Sequence, residues 1–255
     1  MKYIISFFIR KVPRKHLQLF SHLVLKVLSI FYKGNNVECP LCKSTFRKFL
    51  PYGRLKPRKN ALCPDCLTLE RHRLMWLFLQ NKTNFLSDQL KVLHVAPELC
   101  FIERFESLPN LEYITADIES PLAKVKMDLH DIPFEANTFD VTFCNHVMEH
   151  VEDDIRCMNE LHRVLKPGGW AIIQSPIDVS REVTYEDKSI TKPSEREKAF
   201  GQNDHLRVYG TDYKDRLELG GFHVTEIDYA KELDAHIRKR YSLPPQEIIY
   251  LCKKL

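Results

Sequence analysis

The chain has 255 residues, 44% hydrophobic and 28% charged, with a net charge of +4. That balance is ordinary for a soluble globular protein, argues against a disordered chain, and leaves room for one full α/β domain plus a small appendage. The charge is lopsided: residues 1–60 hold 14 Lys and Arg against one acid, Glu38, while the remainder holds 24 against 33. A basic front on an acidic body predicts an anionic partner, either a nucleic-acid backbone or a membrane surface; a solvated basic face is the alternative.

The run Ile4–Ile9 is too short for a signal-peptide core, and Arg10, Lys11, Arg14 and Lys15 follow it with no cleavage-like site. From Leu17 to Tyr32 the apolar residues Leu17, Phe20, Leu23, Val24, Val27, Leu28 and Phe31 recur at helical spacing, broken by His22 and Lys26. This predicts an amphipathic helix within a basic segment 1–36, not a membrane span. Such a helix suits a membrane interface, and packing on the protein's own body is the equal alternative. The expected location is the cytoplasm, with peripheral membrane contact through residues 1–36.

Two knuckles of the form C-P-x-C follow, Cys39–Cys42 and Cys63–Cys66, with 20 residues between them. The spacing is that of a zinc ribbon over residues 37–68, in which Cys39, Cys42, Cys63 and Cys66 surround one structural Zn²⁺. Two disulfides or four unrelated core thiols are the other reading. Cys100, Cys144, Cys157 and Cys252 are scattered without spacing logic and read as buried small hydrophobes.

Leu67–Gln80 reads as a helix leading into a main domain over residues 69–255. Short β-type runs then alternate with helical segments. Strands are expected at 92–95, 113–116, 125–129, 141–144, 171–174, 222–228 and 248–252, and helices at 99–107, 153–164 and 212–219. Residues 118–124 are too few for a crossover helix. The polar stretch between Ile177 and Tyr209 has the length of a functional lid or substrate wall.

Three runs carry a resemblance: Val125–Phe134 (VKMDLHDIPF), Asn137–His150 (NTFDVTFCNHVMEH) and Glu160–Gly169 (ELHRVLKPGG). Together they resemble class I S-adenosylmethionine-dependent methyltransferases, of the type-11-like group, from about Lys91 to the C-terminus. In mechanical terms, Pro167 would end a helix and the two glycines would turn the chain into the next strand. The resemblance implies a Rossmann-like sheet of seven strands in the order 3-2-1-4-5-7-6, the seventh strand antiparallel, with ligands at the carboxyl edge of the strands. It also implies S-adenosyl-L-methionine as cofactor. The cofactor would meet Val95, Ala96, Pro97 and Glu98 after strand one, and Asp117 and Ile118 after strand two. Asp128 and Leu129 would follow strand three, and Asn145 and His146 strand four.

The first turn departs from the family pattern. Where an acid and a glycine-rich turn are usual, the run is VLHVAPELC, with His94 in the acid's place and no glycine. Either Glu98 and the Ala96 backbone adapt to the methionine end of the cofactor, or the site has lost it.

Methyl transfer needs little from the protein beyond alignment and a proton acceptor, so no universal catalytic signature is expected. Candidate catalytic residues are His146, His205, Arg207 and Tyr209, with Glu149 and His150 read as structural. The leading expectation is a methyltransferase acting on an unidentified acceptor, a glycan or other small molecule near the membrane. RNA is the second, on the likeness of the layout to a bacterial ribosomal RNA guanine methyltransferase. A noncatalytic zinc-dependent binding protein is the alternative from another class.

Overall fold

The computed structural model describes residues 29–53 and 57–255. The expected amphipathic helix lies outside the described residues, except for positions 29–32, which are helical. The chain forms two compact units, one of residues 1–84 and 228–247, the other of residues 85–227 and 248–255. The expected boundary at residue 69 thus falls inside the first unit, and a late segment, 228–247, joins that unit across a long sequence gap.

In the first unit, β1 (Lys33–Glu38) pairs antiparallel with β2 (Thr45–Phe46), and β3 (Leu50–Tyr52) with β4 (Arg58–Leu62). A helix over Glu70–Lys82 follows, with Leu74 to Leu79 buried. Its Arg73 explains why residues 228–247 belong here. The guanidinium donates to the carbonyls of Ala61, Thr68, Tyr241 and Ser242, and it stacks over the Phe49 ring at 4.3 Å. A buried charge with that many acceptors is satisfied, and it ties two distant stretches of chain together.

The second unit is a seven-stranded sheet built from β5 (Leu90–Val95), β6 (Leu111–Asp117), β7 (Val125–Lys126), β8 (Phe139–Asn145), β9 (Leu165–Gln174), β12 (His223–Ile227) and β13 (Ile249–Lys253). A two-stranded ribbon of β10 (Tyr185–Glu186) and β11 (Arg207–Val208) lies outside it. The strand order is β12-β13-β9-β8-β5-β6-β7. β5 through β9 run parallel, and β13 pairs antiparallel with both β9 and β12. In family numbering this is 3-2-1-4-5-7-6, as expected.

The centre of the sheet is apolar on both faces, as a covered parallel sheet requires. Six of the seven β8 residues are buried. One face takes the helix Asp154–Val164, which presents Cys157, Met158, Leu161 and Val164 to the core at helical spacing. Asp153 starts that helix by accepting the Arg156 amide at 2.9 Å. Phe101 and Phe105 of the helix Leu99–Glu106 pack among Phe85, Tyr113 and Phe143.

Three local expectations are corrected. The helix before the Pro-Gly-Gly run ends at Val164, the expected bound, but Pro167 does not end it: Leu165 is already extended and Pro167 lies inside β9, while Lys254 Nζ takes the carbonyls of His162 and Arg163. Lys166–Gly169 instead form an irregularity in β9, with Gly168 at φ +77° and Lys166 Nζ paired to Asp140. β7 is two residues long, since Asp128 turns the chain away by accepting the His130 amide. The stretch after Ile177 is structured, holding β10, β11 and a helix over Pro193–Phe200.

Candidate functional site

The parallel register aligns the ends of four strands. Val95 lies between Ala116 and Cys144, and Asp117 lies beside Lys126. The residues following these positions therefore share one carboxyl edge. Val95, Ala96, Pro97, Glu98, Asp117, Ile118, Asp128, Leu129, Asn145 and His146 all stand at or just beyond those strand ends, around the crossover between β5 and β8.

The glycine-free turn keeps a glycine's backbone. Ala96 has φ +47°, in the left-handed region, and its amide donates to the Ala116 carbonyl at 2.8 Å. A non-glycine residue in that region costs about 1 kcal/mol or more, a strain that tends to mark functional turns. Pro97 is buried and Ala96 partly exposed.

Glu98 stands at the N-cap of the helix Leu99–Glu106, but its side chain does not cap that helix. Oε2 is instead 2.5 Å from His94 Nε2, and Oε1 accepts from Asn145 Nδ2 at 3.1 Å. His94 is fully buried, and its Nδ1 lies 2.8 Å from the Tyr113 hydroxyl. Sequence reasoning missed this Tyr113–His94–Glu98–Asn145 chain; the histidine inside an apolar strand was the signal available.

Asp117 Oδ1 accepts the amides of Glu119 and Ser120, which shapes the short link to β7 without a helix. The exposed Ile118 stands beside it. Asp128 Oδ1 takes the His130 amide and lies 2.8 Å from His130 Nδ1; the amide first, then the ring, holds its carboxyl below the ordinary range.

At the end of β8, His146 has φ +57° and its amide donates to the Gln174 carbonyl. Its Nδ1 lies 3.5 Å from Glu149 Oε1, while Nε2 is buried without a partner. Glu149 is 2% exposed and also accepts from Ser175 Oγ at 3.1 Å. Burial works against its ionisation, but the bond to His146 and the charges of His146 and His150 outweigh it and hold the pKa low. His205 is brought to this group, its ring centroid 4.7 Å from that of His150. Burial, then the neighbouring His150, pushes the His205 pKa below the ordinary value.

Arg207 and Tyr209 are both buried and bonded to neighbouring groups. Arg207 is 2% exposed and donates to the carbonyls of Met148, Val151 and Glu152. Tyr209 is fully buried and donates to Met148 O and to Asp154, which also pairs with Arg216. Both side chains hold the loop between β8 and the helix Asp154–Val164.

In the first unit the four predicted cysteines converge, their sulfurs all within 4.8 Å of one another. Cys39 and Cys66 Sγ are 3.4 Å apart, and Cys42 and Cys63 Sγ 3.8 Å. Zinc–sulfur bonds of about 2.3 Å give a tetrahedral edge of about 3.8 Å, so the donor set fits Zn²⁺. The knuckles repeat one conformation. Lys43 N donates to Cys39 O and Leu67 N to Cys63 O, and Cys39 N and Cys63 N donate to Ser44 O and Thr68 O. Lys43 and Leu67 both take φ +62°. Bonds from Cys42, Cys63 and Cys66 push the Cys39 pKa down, and Cys39 in turn pushes Cys63 and Cys66 up. Were all four ionised, their mutual repulsion would be relieved by a cation among them.

Residues 102–173 match the family described as a methyltransferase domain. The tRNA U34 carboxymethyltransferase of Nautilia profundicola is 30% identical over 155 residues, which are 60% of this chain and 48% of that protein. The 2-phytyl-1,4-naphtoquinone methyltransferase of Nostoc punctiforme is 42% identical over 52 residues, 20% of this chain and 23% of that protein. The chain thus spans about half or less of the length of these relatives. Among solved structures, the cyclase SpnF aligns over 92% of this chain and 95% of its own, with a TM-score of 0.52 and 13% identity, a likeness of fold alone. No helix among the described residues is long and apolar enough to cross a membrane. The matched segment lies within the seven-stranded sheet, whose strand order is that of a Rossmann-like methyltransferase fold, so residues 102–173 are similar to a methyltransferase domain.

Proposed function

We propose that the chain is an S-adenosylmethionine-dependent methyltransferase that holds its cofactor along the edge from Asp128 to His146. The observation that carries this reading is the first turn: Ala96 supplies the left-handed backbone, and Glu98 is a carboxylate fixed by His94 and Asn145. When bound, the cofactor supplies an electrophilic sulfonium methyl group. Glu98 is the group to meet its ammonium end, Asp117 its ribose hydroxyls, and Asp128 and Leu129 its adenine side. Asn145 and His146 border the reacting end. His146 is the candidate proton acceptor, because Glu149 faces Nδ1 and Nε2 has no partner.

Cys39, Cys42, Cys63 and Cys66 would hold one structural Zn²⁺, locking the two knuckles together. The polar stretch from Ile177 to Tyr209 would form a wall of the acceptor site. For the acceptor, the basic first 60 residues favour presentation at an anionic surface, a glycan or other small molecule beside a membrane. RNA is the second reading, favoured by the likeness to the tRNA enzyme.

Incubation with methyl-labelled cofactor and separate pools of membrane glycolipid and RNA tests this. Label in the glycolipid pool supports the first acceptor, and label in RNA the second. No transfer to either, together with no cofactor binding, would favour the noncatalytic binding protein.

A further inference from the structure

In the same unit, three side chains form a cluster of which one, Glu149, also faces His146. Glu149, His150 and His205 each bring a ligand atom within 4.8 Å of the others. Two of them are deeply buried: Glu149 is 2% exposed and His205 6%. His150 stands at the rim, with a third of its side chain exposed. They come from two stretches of chain, joined where the Leu206 amide donates to the Glu149 carbonyl at 2.8 Å.

His150 Nδ1 lies 3.3 Å from the Asp204 carbonyl oxygen, which leaves Nε2 as its acceptor. His205 Nε2 is buried without a partner. A metal-ligating histidine characteristically donates its other ring nitrogen to a backbone carbonyl or a carboxylate, which fixes the tautomer and aims the free lone pair. Glu149 is oriented in the same manner by the Ser175 hydroxyl. A buried imidazole nitrogen with no partner costs free energy unless something occupies it.

We propose that Glu149, His150 and His205 form a second metal site, with two imidazoles and one carboxylate binding a divalent transition ion, Zn²⁺ foremost. Two nitrogens and one oxygen suit a borderline ion and disfavour Mg²⁺ or Ca²⁺, which take oxygen donors. Three protein ligands leave at least one position open to water or to a donor atom of a bound molecule. The exposed Asp204 carboxylate stands nearby, 3.6 Å from His150 Nδ1. The site differs from the cysteine cluster in donor set and in exposure, and it does not depend on the methyltransferase reading.

Equilibrium dialysis of the full chain against Zn²⁺, with metal analysis, separates the two sites. The expected result is a second equivalent of zinc beyond the one assigned to the cysteines. His205→Gln and His150→Ala should each abolish the second equivalent, and Cys63→Ser only the first. Co²⁺ in the second site should show no thiolate charge-transfer band. His150 lies at the rim, so its alanine variant decides the matter even if His205→Gln fails to fold. A single equivalent, lost in Cys63→Ser and unchanged in His150→Ala, would overturn the proposal.

Discussion

Glu98 Oε2 sits 2.5 Å from Nε2 of His94, four residues back in the chain. The strand position where the family pattern has an acid is a histidine here, and the carboxylate is carried by the residue that opens the following helix. Because the ring is pinned by Tyr113 on β6, the carboxylate is held from two strands, β5 through His94 and β8 through Asn145. Glu98→Gln should weaken S-adenosylmethionine binding about tenfold or more, from loss of a charge-assisted bond of about 1.5–3 kcal/mol. A thermal melt close to that of the unmodified protein would place the loss in binding, not in folding.

Asp154 gathers Arg216, Arg207 and Tyr209 around one buried carboxylate. Burial opposes its ionisation, but the Arg216 bond, the Arg207 charge and the Tyr209 hydroxyl together hold its pKa below the ordinary value. With the folded pKa depressed, this contribution to stability is complete above the unfolded value of about 3.9 and is lost as pH falls through the folded one. Asp154→Ala should cost about 3–5 kcal/mol near neutral pH, because Arg216 loses its buried counterion, Tyr209 its acceptor and Arg207 one of its two carboxylates, keeping Glu186. Denaturant melts at neutral and acid pH check both the size and the sign.

Gly168 and Gly169 are adjacent and should respond differently. A Cβ on Gly168 meets nothing within 4 Å, but φ is +77°, so Gly168→Ala should cost about 1–2 kcal/mol. A Cβ on Gly169 would lie 2.8 Å from Asp140 O and 2.9 Å from Lys166 O. Those are backbone atoms, and Gly169→Ala should cost about 1–3 kcal/mol by overpacking and disturb the β8–β9 register. Equilibrium unfolding and amide exchange at Asp140 would distinguish strain from displacement.

Cys63→Ser should lose the zinc assigned to the cysteine cluster and destabilise this region, since the two knuckles are otherwise joined only by polar contacts such as Cys39–Thr68 and Ser44–Asp65 among the described residues. Limited proteolysis should cut this region first in the variant and in chelator-treated protein. Equal resistance in both would contradict a structural metal.

The runs that show in the sequence are those whose chemistry is local. The C-P-x-C knuckles, the Val-Leu-Lys-Pro-Gly-Gly segment and the strand-ending Asp117 and Asn145 each lie in a few consecutive residues. What stayed hidden depends on partners far along the chain. Arg73 and the carbonyls of Tyr241 and Ser242 are about 170 residues apart, so no window of sequence joins residues 228–247 to the cysteine unit. The carbonyls of His162 and Arg163 at the end of the helix Asp154–Val164 are taken by Lys254, about 90 residues on. The burial of Arg207 and Tyr209 and their bonds to Met148 O and Asp154 likewise join residues more than 50 positions apart.

The most direct test is calorimetric titration of the full chain with S-adenosylmethionine and with its demethylated product, alongside Asp117→Ala. Saturable binding of both, weakened in the variant by about 1.5–3 kcal/mol, is the predicted result. No heat at millimolar cofactor, or identical affinity in Asp117→Ala, would contradict the placement of the cofactor on this edge.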